Sequence, residues 1–332
     1  MTNAKKYALI DLHLHLDGSM SLSCARSLAE KQGIALPEDD DILLGKLRVS
    51  DDCRDLNEYL ERFDLPLSLL QTYEAVKEAT ARLCDELAEN GLVYAEIRFA
   101  PQLHLQKGLT QKEVVEAAIE GLAEGKLKAS LILCCMRGAD NRNENMETVR
   151  LVKEYLGKGV CAVDLAGAEA LFLNENFVDV IEYARSLSLP MTLHAGEALG
   201  EESVRSAIAL GANRIGHGVR SFGDAELVKI LAEKKIPLEL CPTSNLNTRV
   251  FDSLEEYPIR MFLDADVLIT LNTDNISVSA TSLANEYQKI ADTFSLTEDE
   301  LLKLTLNSVS ATFLGKDDKK ELEKTVKYAL AQ

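Results

Sequence analysis

Short apolar runs alternate with longer amphipathic stretches along most of the 332-residue chain. Eight of the short runs, at 8–15, 92–99, 128–135, 160–165, 190–194, 213–217, 236–241 and 266–271, read as strands. They are apolar on both faces, as buried parallel strands are. Between them, segments such as 111–124 and 223–234 carry apolar residues at helical spacing. Glycines at 91, 159 and 211 stand just before strands, where a helix C-cap is expected. Eight strands alternating with helices predict an α/β fold of the (β/α)8 barrel type. An open doubly wound sheet is the rival, but no Gly-rich GxGxxG turn follows any strand. Residues 38–72 break the alternation and read as a helical insertion after the first unit. From about 297 onward the pattern is that of extra helices outside the barrel. No repeat or Gly/Ser linker divides the chain, so we expect one domain over 1–332.

Composition narrows the partners. With 46% hydrophobic and 27% charged residues the chain has the make-up of a globular protein. A net charge of −18 argues against a nucleic-acid backbone or an anionic membrane as partner. The seven cysteines include no CxxC pair, which fits reduced, buried thiols rather than a disulfide framework. Two lysines near the start lead straight into the first apolar run, with no signal-peptide pattern, and no run of 18 apolar residues occurs. The expectation is a cytoplasmic, soluble protein with no obligatory protein partner; the acidity identifies no partner by itself.

The candidate chemistry starts at "DLHLHLDGS" (11–19), which spends two of only five histidines within three residues. On a strand, His13 and His15 point to the same face. An HxH pair alone can be a hydrogen-bonded core pair; its company decides otherwise. His194 ends the fifth predicted strand, His217 ends the sixth, and Asp274 lies just past the eighth. In a barrel these strand ends converge on one mouth. Imidazoles and a carboxylate gathered there describe a site for zinc or a similar divalent metal. His104, in the loop after the second strand, lacks a partner motif and is expected to be a loop or rim histidine rather than a ligand.

The segments "HLHLDGS" (13–19), "DLAGAE" (164–169), "HAGE" (194–197), "RIGHGV" (214–219), "CPTSN" (241–245) and "LNTDN" (271–275) occur in an order that resembles the adenosine deaminase family of the metal-dependent amidohydrolases. The resemblance spans almost the full chain. It implies one Zn2+ per chain held by His13, His15, His194 and Asp274. Bound zinc lowers the pKa of its water from about 15.7 towards ~7. His217 would stand beside that water as base or electrostatic stabiliser, and Asp274 would accept a hydrogen bond from it. Glu197 would give a proton to purine N1, which requires a pKa raised by burial.

The same resemblance implies a purine nucleoside substrate, with His15 on the substrate side of the metal and Gly167 letting backbone reach the base. Leu56, Tyr59, Leu60 and Phe63 would form an apolar gate, although such a stripe alone is ordinary helix packing. Asp17 would meet the ribose, where adenine-using relatives carry Glu. One position departs from the pattern: Asn275 stands where many members carry a second Asp, followed by Pro, that donates to purine N7. An Asn amide donates without needing protonation. Deamination of adenosine and 2′-deoxyadenosine is the favoured expectation. A deaminase of adenine or another 6-aminopurine, and a nucleoside-binding protein without turnover, are the alternatives. No bridging lysine for a two-metal centre stands out.

Overall fold

The parallel strands β1 (Leu9–His15), β2 (Leu92–Phe99), β3 (Ala129–Met136), β4 (Val160–Ala166), β5 (Thr192–Ala195), β6 (Arg214–His217), β7 (Leu238–Leu240) and β8 (Ile269–Leu271) follow the order of the apolar runs. The computed structural model describes residues 8–50 and 52–330; the N-terminal lysine pair lies outside the described residues. Two four-stranded sheets, β1-β2-β3-β4 and β5-β6-β7-β8, are joined at both edges. Val163 pairs with Met191 on one side and Leu14 with Asp274 on the other. Asp274 N–H donates to His13 O at 2.8 Å and His15 N–H to Asp274 O at 2.7 Å, closing the ring at the mouth. The fold is a (β/α)8 barrel.

The later strands are shorter than expected, for local reasons. Pro190 and Pro237 have no N–H to give a ladder, and only their carbonyls join it, to Val163 N and Ile215 N. Asp266 and Val267 donate instead to Leu263 and Phe262 in the turn that ends helix Ile259–Asp264. Of the three glycines, Gly91 and Gly211 follow helix ends with φ of 85° and 94°. Gly159 is not a cap: helix Arg142–Tyr155 ends earlier, and Gly157 and Gly159 together turn the chain into β4. All seven cysteines are free and buried. No described helix is long and apolar enough to cross a membrane.

Within the insertion lie helices Asp40–Leu47, Leu56–Leu60 and Asp64–Leu69, the first two started by Asp39 and Asp55 side chains that cap their N-termini. It docks over the mouth through Val49 N–H to Val278 O (3.1 Å), the Tyr59 and Ser279 hydroxyls (2.7 Å) and Arg249 Nε to Cys53 O (2.8 Å). Two helices, Glu298–Ala311 and Lys316–Leu330, complete the chain as expected. Val309, Leu322 and Val326 pack with Ile10, Leu12 and Tyr94.

Inside the barrel the strands carry charges where apolar side chains are the rule. Arg98 reaches Asp164 and Glu239, both at 2.8 Å, and Arg214 reaches Glu239 and Glu96, both at 2.6 Å. Thr192 and the Phe313 N–H supply further donors to Glu239 and Glu96.

His104 is a loop residue outside the imidazole cluster, as expected, but it lies inside the protein and not at the rim. It is fully buried, and its Nδ1 donates to Leu70 O at 2.9 Å, tying the end of the insertion to the turn after β2. Burial pushes its pKa from 6.5 down to about 4, against the pull of the Leu70 carbonyl. The folded state therefore binds fewer protons than the unfolded chain between those two values. Its contribution is intact above pH 6.5 and is lost as pH falls towards 4, at a cost of about 3 kcal/mol. We expect His104→Asn, which keeps a donor for Leu70 O, to flatten the loss of urea stability over that range. An unchanged acid slope would show that His104 does not set it.

Candidate active site

β1 alternation puts His13 and His15 on one face, and the closing contacts with Asp274 bring the eighth-strand carboxylate to them. Asp274 Oδ1 lies 3.4 Å from His13 Nε2 and 3.3 Å from His15 Nε2. The ring of His194, from β5, is 4.6 Å from that of His13, and the ring of His217, from β6, is 4.7 Å from it. Among the described residues, three groupings have ligand atoms within 4.8 Å of one another: His13, His194 and His217; His13, His15 and Asp274; Glu197, His217 and Asp274.

Hydrogen bonds to the far ring nitrogens separate the histidines. His13 Nδ1 lies 2.8 Å from Glu239 Oε2, and His194 Nδ1 lies 2.9 Å from Asp164 Oδ2. Each Nδ1 must donate to its carboxylate, so each Nε2 keeps a lone pair for the centre. His13 Nε2 is buried with no hydrogen-bond partner, as an atom awaiting a cation would be. His217 is held the opposite way. Tyr257 OH donates to Asn245 Oδ1 (3.0 Å), which turns the Asn245 amide N–H onto His217 Nδ1 (3.2 Å). Its Nε2 therefore carries the proton and presents a donor, 3.6 Å from Glu197 Oε2. Ser244 OH donates to Asp274 Oδ2 at 2.6 Å. The donor set of two carboxylate-backed imidazoles, His15 and Asp274 suits a divalent metal.

The carboxyls of the pocket are driven apart. Burial opposes charge on Asp274, but His13, His217 and His15 hold its carboxyl well below the usual range. Glu197 is pushed well above its usual value by burial, then by the Asp274 and Glu169 carboxylates, against the weaker pull of Arg137 and Arg220. Burial raises Asp17 to about 6. Burial also holds His15 and His217 well below 6.5.

These groups face a cavity of about 300 Å3 that is lined by every site residue expected from the sequence except the buried His13. Leu56, Tyr59, Leu60 and Phe63 form its apolar wall, with Tyr59 fully covered. Gly167 has φ of 104°, and a Cβ there would stand 3.1 Å from Met136 Cε. Gly18 serves Asn275: a Cβ on it would lie 1.8 Å from Asn275 Oδ1, so only glycine leaves room for that amide. Sequence reasoning passed over Asp164, Glu239, Arg98, Ser244 and Asn245. Their signal was present, as charges inside strand runs and as the unassigned residues of "DLAGAE" and "CPTSN".

A family model described as adenosine deaminase matches residues 8–329. The chain belongs to the adenosine deaminase family. It is 50% identical over 326 residues to an adenosine deaminase of Haemophilus ducreyi, covering 96% of this chain and 95% of that one. An Enterococcus faecalis adenosine deaminase is 42% identical over 324 residues, with 96% of each chain covered. Among solved structures, the apo N6-methyl-AMP deaminase of Arabidopsis thaliana superimposes with a TM-score of 0.85 at 28% identity, covering 98% of each chain. Members of this family are metal-dependent, in keeping with the imidazole–carboxylate cluster.

Because Asp164 fixes His194 and is itself held by Arg98, Asp164→Asn should keep the fold but weaken metal retention. A loss of about 10–100-fold in affinity is expected in competition with a chelator. Unchanged retention would remove Asp164 from that supporting role.

Proposed function

We propose that this chain catalyses the hydrolytic deamination of adenosine and 2′-deoxyadenosine to inosine and 2′-deoxyinosine, releasing ammonia, with a single zinc ion held by His13, His15, His194 and Asp274. The observation that carries the reading is a buried carboxyl, Glu197, 3.6 Å from His217 beside the imidazole–carboxylate cluster, on the wall of a largely apolar cavity where burial favours its protonated form. When bound, the metal makes water acidic enough to attack at neutral pH.

This chain's residues then divide the remaining work. Glu197 gives its proton to purine N1, so that electron density displaced by attack at C6 is taken up as an N–H bond forms. His217, with its N–H turned inward by Asn245, stabilises charge at the attacking oxygen. Asp274, kept ionised, accepts a hydrogen bond from the attacking water and orients it. One proton of the attacking water passes through Asp274 to N6, the C6–N6 bond breaks with release of ammonia, and the oxygen's second proton returns to the Glu197 carboxylate as the 6-oxopurine forms. Gly167 allows backbone to approach the base, Asp17 accepts from the ribose, and Asn275 donates an amide N–H to N7. The gate residues exclude water around the ring. A 50% identical relative named adenosine deaminase supports the nucleoside over the free base.

Purified, zinc-loaded protein should convert adenosine rapidly, seen as an ultraviolet difference signal, while adenine stays inert. Conversion of adenine alone would transfer the assignment to that base. Glu197→Gln should fold and hold zinc stoichiometrically while losing about 10²–10⁴-fold in turnover. Near-native turnover in that variant would end the proton-donor role.

Asn275→Ala should lower kcat/KM for adenosine by about 10–100-fold, the cost of one buried hydrogen bond. Intact efficiency would show that N7 is not its contact.

A further inference from the structure

Glu169, the last residue of "DLAGAE", lies in the loop after β4 and is almost completely buried. Its carboxylate accepts from four consecutive backbone N–H groups. Gly196 donates to Oε1 at 2.7 Å, and Glu197, Ala198 and Leu199 donate to Oε2 at 3.1, 2.7 and 3.1 Å. The Ser203 hydroxyl adds a fifth bond, to Oε1 at 2.5 Å. Successive N–H groups converging in this way form an anion-binding nest, and here the chain fills its own nest with a carboxylate.

The segment in the nest is the turn that carries Glu197. Its carbonyl side is pinned as well. Arg220 Nε donates to Glu197 O at 2.8 Å, and Arg220 N–H donates to Gly196 O at 3.1 Å. Gly196 enters the turn with φ of 70°, and a Cβ there would lie 2.5 Å from Val204. With the backbone held from both sides, the Glu197 side chain leaves the turn in one direction, towards His217 and the cavity.

We propose that Glu169 is a positioning residue for the reaction, acting through Glu197 by clamping the 196–199 turn. The inference rests on the proton-donor reading of Glu197 given above. A carboxylate is needed because all five partners are donors. A Gln at 169 offers one acceptor oxygen and turns an NH2 group against N–H groups, so several of the five bonds cannot form. Displacing the turn by an ångström is enough to cost about 10²-fold in rate without changing what the site binds.

The test is a double-mutant cycle on the zinc-loaded enzyme, with kcat, KM, zinc content and thermal midpoint measured for wild type, Glu169→Gln, Glu197→Gln and the double variant. We expect Glu169→Gln to lower kcat about 10–100-fold, with KM within about threefold and zinc stoichiometric. In the Glu197→Gln background the same change should cost little more, because residues acting as one unit are not additive. Glu169→Asp should recover part of the loss by restoring an acceptor-only group.

A folded Glu169→Gln enzyme with wild-type kcat overturns the proposal. So does an equal fall in both backgrounds, which would mean a structural role alone. If Glu197→Gln itself stays active, the proton-donor reading fails independently of these outcomes. Should Glu169→Gln not fold, Ser203→Ala removes one of the five donors. It should lower kcat about threefold only when Glu197 is intact; no effect in either background overturns the proposal.

Discussion

The Glu239 carboxylate sits inside the barrel and binds three ionisable groups at once: Arg98, Arg214 and His13. None of the four is exposed to any useful degree, so each would carry a large desolvation cost if left unpaired. The arrangement is tolerable because every charge in it meets an opposite one, although Arg98 Nε is left without a hydrogen-bond partner. Arg98 also meets Asp164 and Leu12 O, and Arg214 also meets Glu96 and Ala311 O. Cations and anions alternate from the C-terminal helices to the mouth. The two outermost anions, Glu239 and Asp164, spend their remaining lone pairs on His13 and His194. The orientation of these candidate metal ligands is thus inherited from the interior of the barrel and not from mobile loops.

How much of this could be read from residues in order depends on whether the signal was local. Alternation in β1 is local, and it placed His13 and His15 on one face correctly. The strand-end rule carried His194, His217 and Asp274 to the same mouth. Glu239, by contrast, meets His13 from 226 residues away, and Arg98 meets Asp164 from 66 residues away. Such pairings follow from barrel closure and leave no periodic trace. A charge inside an apolar run was nevertheless visible at Glu96, Arg98, Asp164, Arg214 and Glu239. The burial of His104 went unread for a related reason. Its partner is the Leu70 carbonyl, and a backbone acceptor has no signature in side-chain sequence. The strand ends at Pro190 and Pro237 were legible in principle, since proline cannot donate to a ladder.

The same closure explains why acids of similar intrinsic strength take different parts. Asp274 lies among imidazoles and holds its charge, and that charge is one reason Glu197 keeps its proton. Environments that push neighbouring carboxyls apart are how one site runs acid and base chemistry at a single pH. The separation is mutual: moving Asp274 away from its histidines would also weaken the case for a protonated Glu197.

Asn275 belongs to that balance. It adjoins Asp274 in sequence and is buried beside it against Gly18. A carboxyl here would have to stay protonated to donate to a ring nitrogen, next to an aspartate that is held ionised. Glu197 already meets that demand in the same cavity, through burial and neighbouring negative charge. An amide donates at every pH and adds no further charge to be offset. On the proposed roles, a donor at 275 that is independent of protonation leaves Glu197 as the one acid whose proton the pocket has to retain, and burial with the neighbouring Asp274 and Glu169 carboxylates favours that state.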